Sequence, residues 1–164
     1  MRLFSAWPHP CSFINYSYNL MKKQFIITII LLLGALQAFS QSSIYGQWKT
    51  IDDKTGEAKS IVEISEKGGK AFGKVIKIFD PNKQDAVCSE CDKNDSRKDQ
   101  KILGMEILRN MEKKGNEWTN GRILDPNNGS EYKCTMWLEN GKLHVRGYIG
   151  FSLLGRTQIW EPVK

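Results

Sequence analysis

Closely spaced turn signals constrain this chain more than any other feature. From Ile44 onward, short runs of apolar residues mixed with polar ones are cut by Asp52-Asp53-Lys54-Thr55-Gly56, Lys67-Gly68-Gly69-Lys70, Asp80-Pro81-Asn82, Asp125-Pro126-Asn127-Asn128-Gly129 and Asn140-Gly141. Glycine and asparagine accept positive φ and proline presets a negative one, so such stretches reverse the chain tightly. The runs between them predict strands over Gln47–Ile51, Ser60–Ile64, Ala71–Phe79, Trp118–Leu124, Tyr132–Leu138, Leu143–Ile149 and Leu154–Trp160. Successive hairpins without helical crossovers make an antiparallel meander.

The segment 82–117 breaks the rhythm. Gln84 to Lys101 is densely charged and holds Cys88-Ser89-Glu90-Cys91. Beyond it, Leu103, Ile107, Leu108 and Met111 sit at helical spacing, while Gly104 and the shortness of the run argue against a helix. A strand, or a turn of helix, covering one barrel opening is the expectation. In the predicted strands Val62 and Ile64 share a face, as do Cys134, Met136 and Leu138, and Leu143, Val145 and Ile149. Glu63, Lys133, Glu139, Lys142, His144 and Arg146 take the other faces. One dry and one wet face suits an all-β, antiparallel up-and-down barrel of about eight strands with one long charged loop. Closure would also remove exposed strand edges.

The first forty residues read differently. Met21-Lys22-Lys23 is a basic start, Phe25 to Leu36 is continuously apolar, and Ala38-Phe39-Ser40 offers a small-x-small cut before Gln41. That is the pattern of a secretory signal peptide over 21–40. The apolar run is shorter than the roughly 20 residues that cross a bilayer, so no stable span is expected after cleavage. Residues 1–20 lack periodicity and read as an upstream extension, which leaves 41–164 as a single barrel domain. An exported product, periplasmic or secreted, is the expectation. The whole chain of 164 residues carries a formal net charge of +6. Arg2, Lys22 and Lys23 lie in the first forty residues, so the remainder is about +3, without the basic stripe of a nucleic-acid binder.

Export bears on the cysteines that remain, Cys88, Cys91 and Cys134. A redox pair at Cys88/Cys91 would need a following helix, but Asp92-Lys93-Asn94-Asp95 follows. A structural zinc site wants four ligands, and only Cys134 and His144 could join the pair. A disulfide between Cys88 and Cys91 is the favoured reading, with Cys134 a small core residue; one loop cysteine bonded to Cys134 is the variant. Asp92-x-Asn94-x-Ser96 fails as a calcium loop, since Arg97 and Leu103 stand where glycine and glutamate are required. His144 falls on a wet face and reads as a surface residue. No nucleophile elbow, phosphate loop or zinc-protease motif occurs, so no catalytic residue, cofactor or metal is assigned.

Two resemblances add to this reading. Gly46-x-Trp48 on the first strand with Arg156 near the last resembles lipocalins and related calycin barrels. There, a basic residue packs over the indole and closes one end, so the resemblance implies a structural clasp of Gly46, Trp48 and Arg156. Gly-Gln-Trp-Lys-Thr-Ile-Asp-Asp (46–53), Gly121 with Ile123-Leu124-Asp125-Pro126 and Asn128-Gly129, Tyr132-Lys133-Cys134, and Arg146 to Gly150 through Gly155-Arg156-Thr157-Gln158-x-Trp160 are similar to the secreted bacterial family called domain of unknown function 2147. That resemblance implies a lipocalin-like barrel and export, and transfers no catalytic residues.

The leading expectation is therefore an envelope protein that binds a hydrophobic or amphipathic small molecule in its barrel. Trp48, Val62, Ile64, Met136, Leu138 and Val145 are the candidate lining. The alternatives are a solid-core interaction protein using loop 84–101, and a redox or metal protein using Cys88 and Cys91.

Overall fold

Two-residue periodicity in the sequence becomes a strand wherever one of its two faces has a partner to bury against. The computed structural model describes residues 43–163. The leader expected at 21–40 and the extension at 1–20 lie outside the described residues. The strands are β1 (Gly46–Ile51), β2 (Ala58–Lys67), β3 (Lys70–Ile78), β4 (Glu106–Lys114), β5 (Glu117–Asp125), β6 (Ser130–Glu139), β7 (Lys142–Tyr148) and β8 (Arg156–Pro162). Each pairs antiparallel with the next, and β8 returns to β1, so the sheet is a closed barrel in simple meander order. Single 3-10 turns stand at Pro81–Lys83 and Ser152–Leu154. No helix among the described residues is long and apolar enough to cross a membrane.

The inner faces are those the alternation marked. Val62, Ile64, Cys134, Met136, Leu143 and Val145 are buried, while Glu63, Lys133 and Lys142 are exposed. Ile149 departs from its expected face. β7 ends at Tyr148, and Ile149 stands in the following loop with 73% of its surface exposed.

β4 settles the ambiguity of 102–111 in favour of a strand. Its register against β3 jumps twice, pairing Lys74 with Glu106, Gly73 with Leu108 and Ala71 with Met111. Each jump adds a residue to β4, and Asn110 takes the left-handed φ of 56°. Bulges therefore turn strict alternation into the buried set Met105, Ile107, Leu108 and Met111. A bulged strand mimics helical spacing.

The two ends of the barrel are built differently. At one end β2–β3, β4–β5 and β6–β7 are joined by the pairs Gly68-Gly69, Gly115-Asn116 and Asn140-Gly141. Both residues of the first and third pairs have positive φ, as type I′ hairpins require. This end is packed shut by Trp48, Ile64, Met111, Trp118, Met136 and Leu143, with Ile44 laid beneath them. The Trp48 indole Nε1 donates to the Ile44 carbonyl at 2.7 Å, which satisfies the buried N–H and fixes the plug. At the other end stand the longer connections, including 79–105 and 149–155.

Candidate functional site

A cavity of about 1090 Å³ occupies the loop end of the barrel. Its origin is in the size of the inward residues there. Where the tight-turn end places Trp48 and Leu143, the same two strands place Thr50 and Gly147 further along. Side chains that short cannot meet across the interior, so the volume stays open. Val75, Val145 and Trp160 are buried and border its deep part, and Ile107 and Ile123 contribute to its apolar wall. Polar groups on the wall are mutually satisfied: Thr50 Oγ1 and Ser60 Oγ lie 2.8 Å apart, and Trp160 Nε1 donates to Gln158 Oε1 at 3.4 Å.

The rim is polar and carries both signs. Asp52, Asp80, Asp125, Lys59, Lys83 and Arg156 all border the opening. Arg156 Nη2 bonds to Asp53 Oδ2, and Gln158 Nε2 reaches the same oxygen at 3.5 Å. The loop 79–105 folds over this rim, with Ala86, Val87 and Ile102 facing the opening. Backbone hydrogen bonds from Ile102 N to Ala86 O (2.9 Å) and from Cys88 N to Gln100 O (3.0 Å) tie its two limbs together.

What pins this loop was not visible in the sequence. Arg97 is buried, with a guanidinium 2.6 Å from Asp95 Oδ2 and 2.7 Å from Glu131 Oε1, and it donates to the Glu106 carbonyl at 3.4 Å. It therefore joins the loop to β4 and β6. The Arg97 guanidinium holds the Asp95 carboxyl down at about 2. A second anchor lies where the loop meets the β5–β6 turn. Gly129 has φ of 68°, and a Cβ there would fall 1.8 Å from the Glu90 carbonyl oxygen. Backbone touches backbone at that point, with no room for a side chain. In the sequence these residues read only as a solvated charged run and an ordinary turn glycine.

Cys88 and Cys91 form a disulfide within the loop, with Cα atoms 5.4 Å apart and both residues buried. Cys134 is a buried free thiol, pushed up to about 12 by burial. The variant pairing to Cys134 is thus not the one adopted. Among the described residues no cluster of three His, Cys, Asp or Glu side chains could hold a metal ion. His144 lies on the outer surface, stacked on Trp137 with ring centroids 5.1 Å apart.

The proposed lining is only partly brought together. Of Trp48, Val62, Ile64, Met136, Leu138 and Val145, the cavity is bordered by Val145 alone. Trp48, Val62, Ile64 and Met136 belong to the buried core, and Leu138 packs against it. Alternation assigns a face, but not a height along the barrel.

The clasp of Arg156 on Trp48 is corrected. Trp48 pairs with Pro162 of β8, whereas Arg156 pairs with Gly147. Arg156 thus stands about 20 Å along the strand from the indole, at about 3.3 Å per residue. Its exposed guanidinium meets Asp53 at the loop end. Gly46 begins β1 at the tight-turn end with φ of 120°. Ile44, not an arginine, covers the indole from below.

The closed, antiparallel meander has counterparts among known proteins. A family model described as an uncharacterized protein conserved in bacteria (DUF2147) matches residues 46–162. The chain belongs to this family. The match spans every strand of the barrel. No curated protein matches the chain. Among solved structures, protein HP1028 from the human pathogen Helicobacter pylori, described as belonging to the lipocalin family, superposes with a TM-score of 0.64. The alignment covers 74% of this chain and 84% of that one at 18% identity. At that identity the likeness establishes the fold: this DUF2147 member is a lipocalin-like barrel.

Proposed function

We propose that the barrel binds an amphipathic small molecule, with its apolar body inside and its polar group at the rim. The observation that carries this reading is the cavity of about 1090 Å³, apolar in its depth and charged at its mouth. Small-molecule sites commonly enclose about 300–1000 Å³ and combine apolar walls with a few placed polar groups. Such a space supports ligand binding over a barrel packed solid.

Titration with an anilinonaphthalene sulfonate probe, followed by displacement with a single-chain alkyl amphiphile, tests it. Saturable probe binding that quenches or shifts Trp160 emission is expected. Val145→Trp should fill the deep part and weaken binding at least about tenfold, and the milder Ser60→Leu should do so from the wall. Folded protein that takes up no probe, or variants that bind as the parent does, would refute the reading.

We also infer export, from the basic, apolar and small-x-small pattern of residues 21–40. Cell fractionation with N-terminal sequencing should find a product beginning at Gln41 outside the cytoplasm. An unprocessed cytoplasmic chain would sink this inference.

A further inference from the structure

The β7–β8 connection puts large apolar side chains into solvent beside the cavity mouth. Phe151 is 79% exposed, Leu153 89% and Leu154 84%, with Ile149 next to them. Scattered single exposures need no explanation, but four in one loop of seven residues form a patch. The loop is also held in shape. Arg146 Nε donates to the Ser152 carbonyl at 2.7 Å and Nη2 to the Leu153 carbonyl at 3.2 Å, while Nη1 binds Thr157 Oγ1 at 2.8 Å. The arginine thus satisfies the backbone from the barrel side and leaves the side chains pointing away.

We propose that this tip docks into the surface of an anionic phospholipid bilayer. Three observations select a membrane as the occupant. The patch is confined to the one connection between β7 and β8, a size suited to entering a fluid interface. Arg146 is bonded only to neutral oxygens, and the chain has no carboxylate between Glu139 and Glu161. The tip itself therefore carries the Arg146 charge, whereas Arg156 at its base is paired with Asp53, and Asp52, Asp80 and Asp125 stand elsewhere on the rim. The Arg146 charge is the one that would meet anionic headgroups. Finally, Ile149 and Leu154 border the cavity mouth as well as the tip. Docking would bring that mouth to the acyl boundary. If the barrel binds an amphiphile as proposed above, its ligand then belongs to the class that partitions into membranes; the docking itself does not rest on that reading.

Among the described residues every strand and every core residue lies between Ile44 and Pro162, so a chain beginning at Gln41 contains all of them. That chain is tested for co-sedimentation with vesicles of phosphatidylethanolamine and phosphatidylglycerol, and of phosphatidylcholine alone. Phe151→Ser/Leu153→Ser removes apolar side chains that do not line the cavity. The expected result is binding to the anionic vesicles, weakened at least about tenfold by the double variant and by raised salt. Thermal midpoint and probe uptake of the variant should match the parent. The proposal is overturned if the parent fails to sediment with vesicles, or if the variant sediments equally. It is also overturned if the parent self-associates by analytical ultracentrifugation and the variant does not, since the tip is then a contact between copies. Probe uptake without vesicle binding defeats docking alone; vesicle binding without probe uptake defeats the cavity reading alone.

Discussion

A single buried guanidinium ties the loop over the cavity mouth to β4 and β6. Arg97 is the shared partner of Asp95 and Glu131, and removing it leaves two carboxylates facing each other across a loop. Arg97→Met should cost about 2–3 kcal/mol, since a broken ion pair costs more than it contributed when whole. The pH dependence has a definite sign. In the fold Asp95 sits at about 2 rather than 3.8, so its contribution is complete above 3.8 and is lost as pH falls toward about 2. Urea midpoints measured from pH 5 to 2 should fall through that window in the parent, and Arg97→Met should lose the part of that slope due to Asp95. Two glycines offer a parallel comparison. Gly141 and Gly129 both have positive φ, 74° and 68°, but only Gly129 faces backbone within van der Waals contact. Gly141→Ala should cost about 1 kcal/mol for backbone strain alone. Gly129→Ala should cost about 2–3 kcal/mol, because the loop at Glu90 must also move. Equal losses would show that the loop does not press on the β5–β6 turn.

At the scale of elements, the loop 79–105 is the piece whose behaviour separates competing readings. Its disulfide joins residues three apart, so it closes a very short loop. Chain-entropy arguments assign such a link about 2 kcal/mol. Cys88→Ser/Cys91→Ser should lower stability by about that amount and leave probe binding in the cavity intact. Loss of function at unchanged stability would instead mark a redox role for the pair. The strands themselves were legible for a simple reason. Alternation and turn chemistry are local, so Asn140-Gly141 announces its hairpin without reference to anything distant. β4 was less so, because bulges are set by the neighbouring strand and disguise the period of two. The loop's anchor was not legible, since Arg97 and Glu131 come together only through the closed sheet.

For the whole molecule, the division into a packed end and a hollow end predicts an uneven response to core truncation. Met136→Ala, in the packed end, should cost about 2–5 kcal/mol by opening a void. Ile123→Ala borders space that is already open, so it should cost much less and act chiefly on probe affinity. Similar losses from both would mean that the interior is uniformly filled. The sequence alone determined the meander, the inward faces and the family, because these follow from periodicity, turn residues and contiguous motifs. It could not determine height along the barrel axis. That depends on strand stagger, and stagger is decided when β8 closes on β1 and sets Pro162, not Arg156, beside Trp48. Closure put the tryptophan in the plug and the arginine at the mouth. It also set Thr50 and Gly147 toward the loop end, where they leave the interior open.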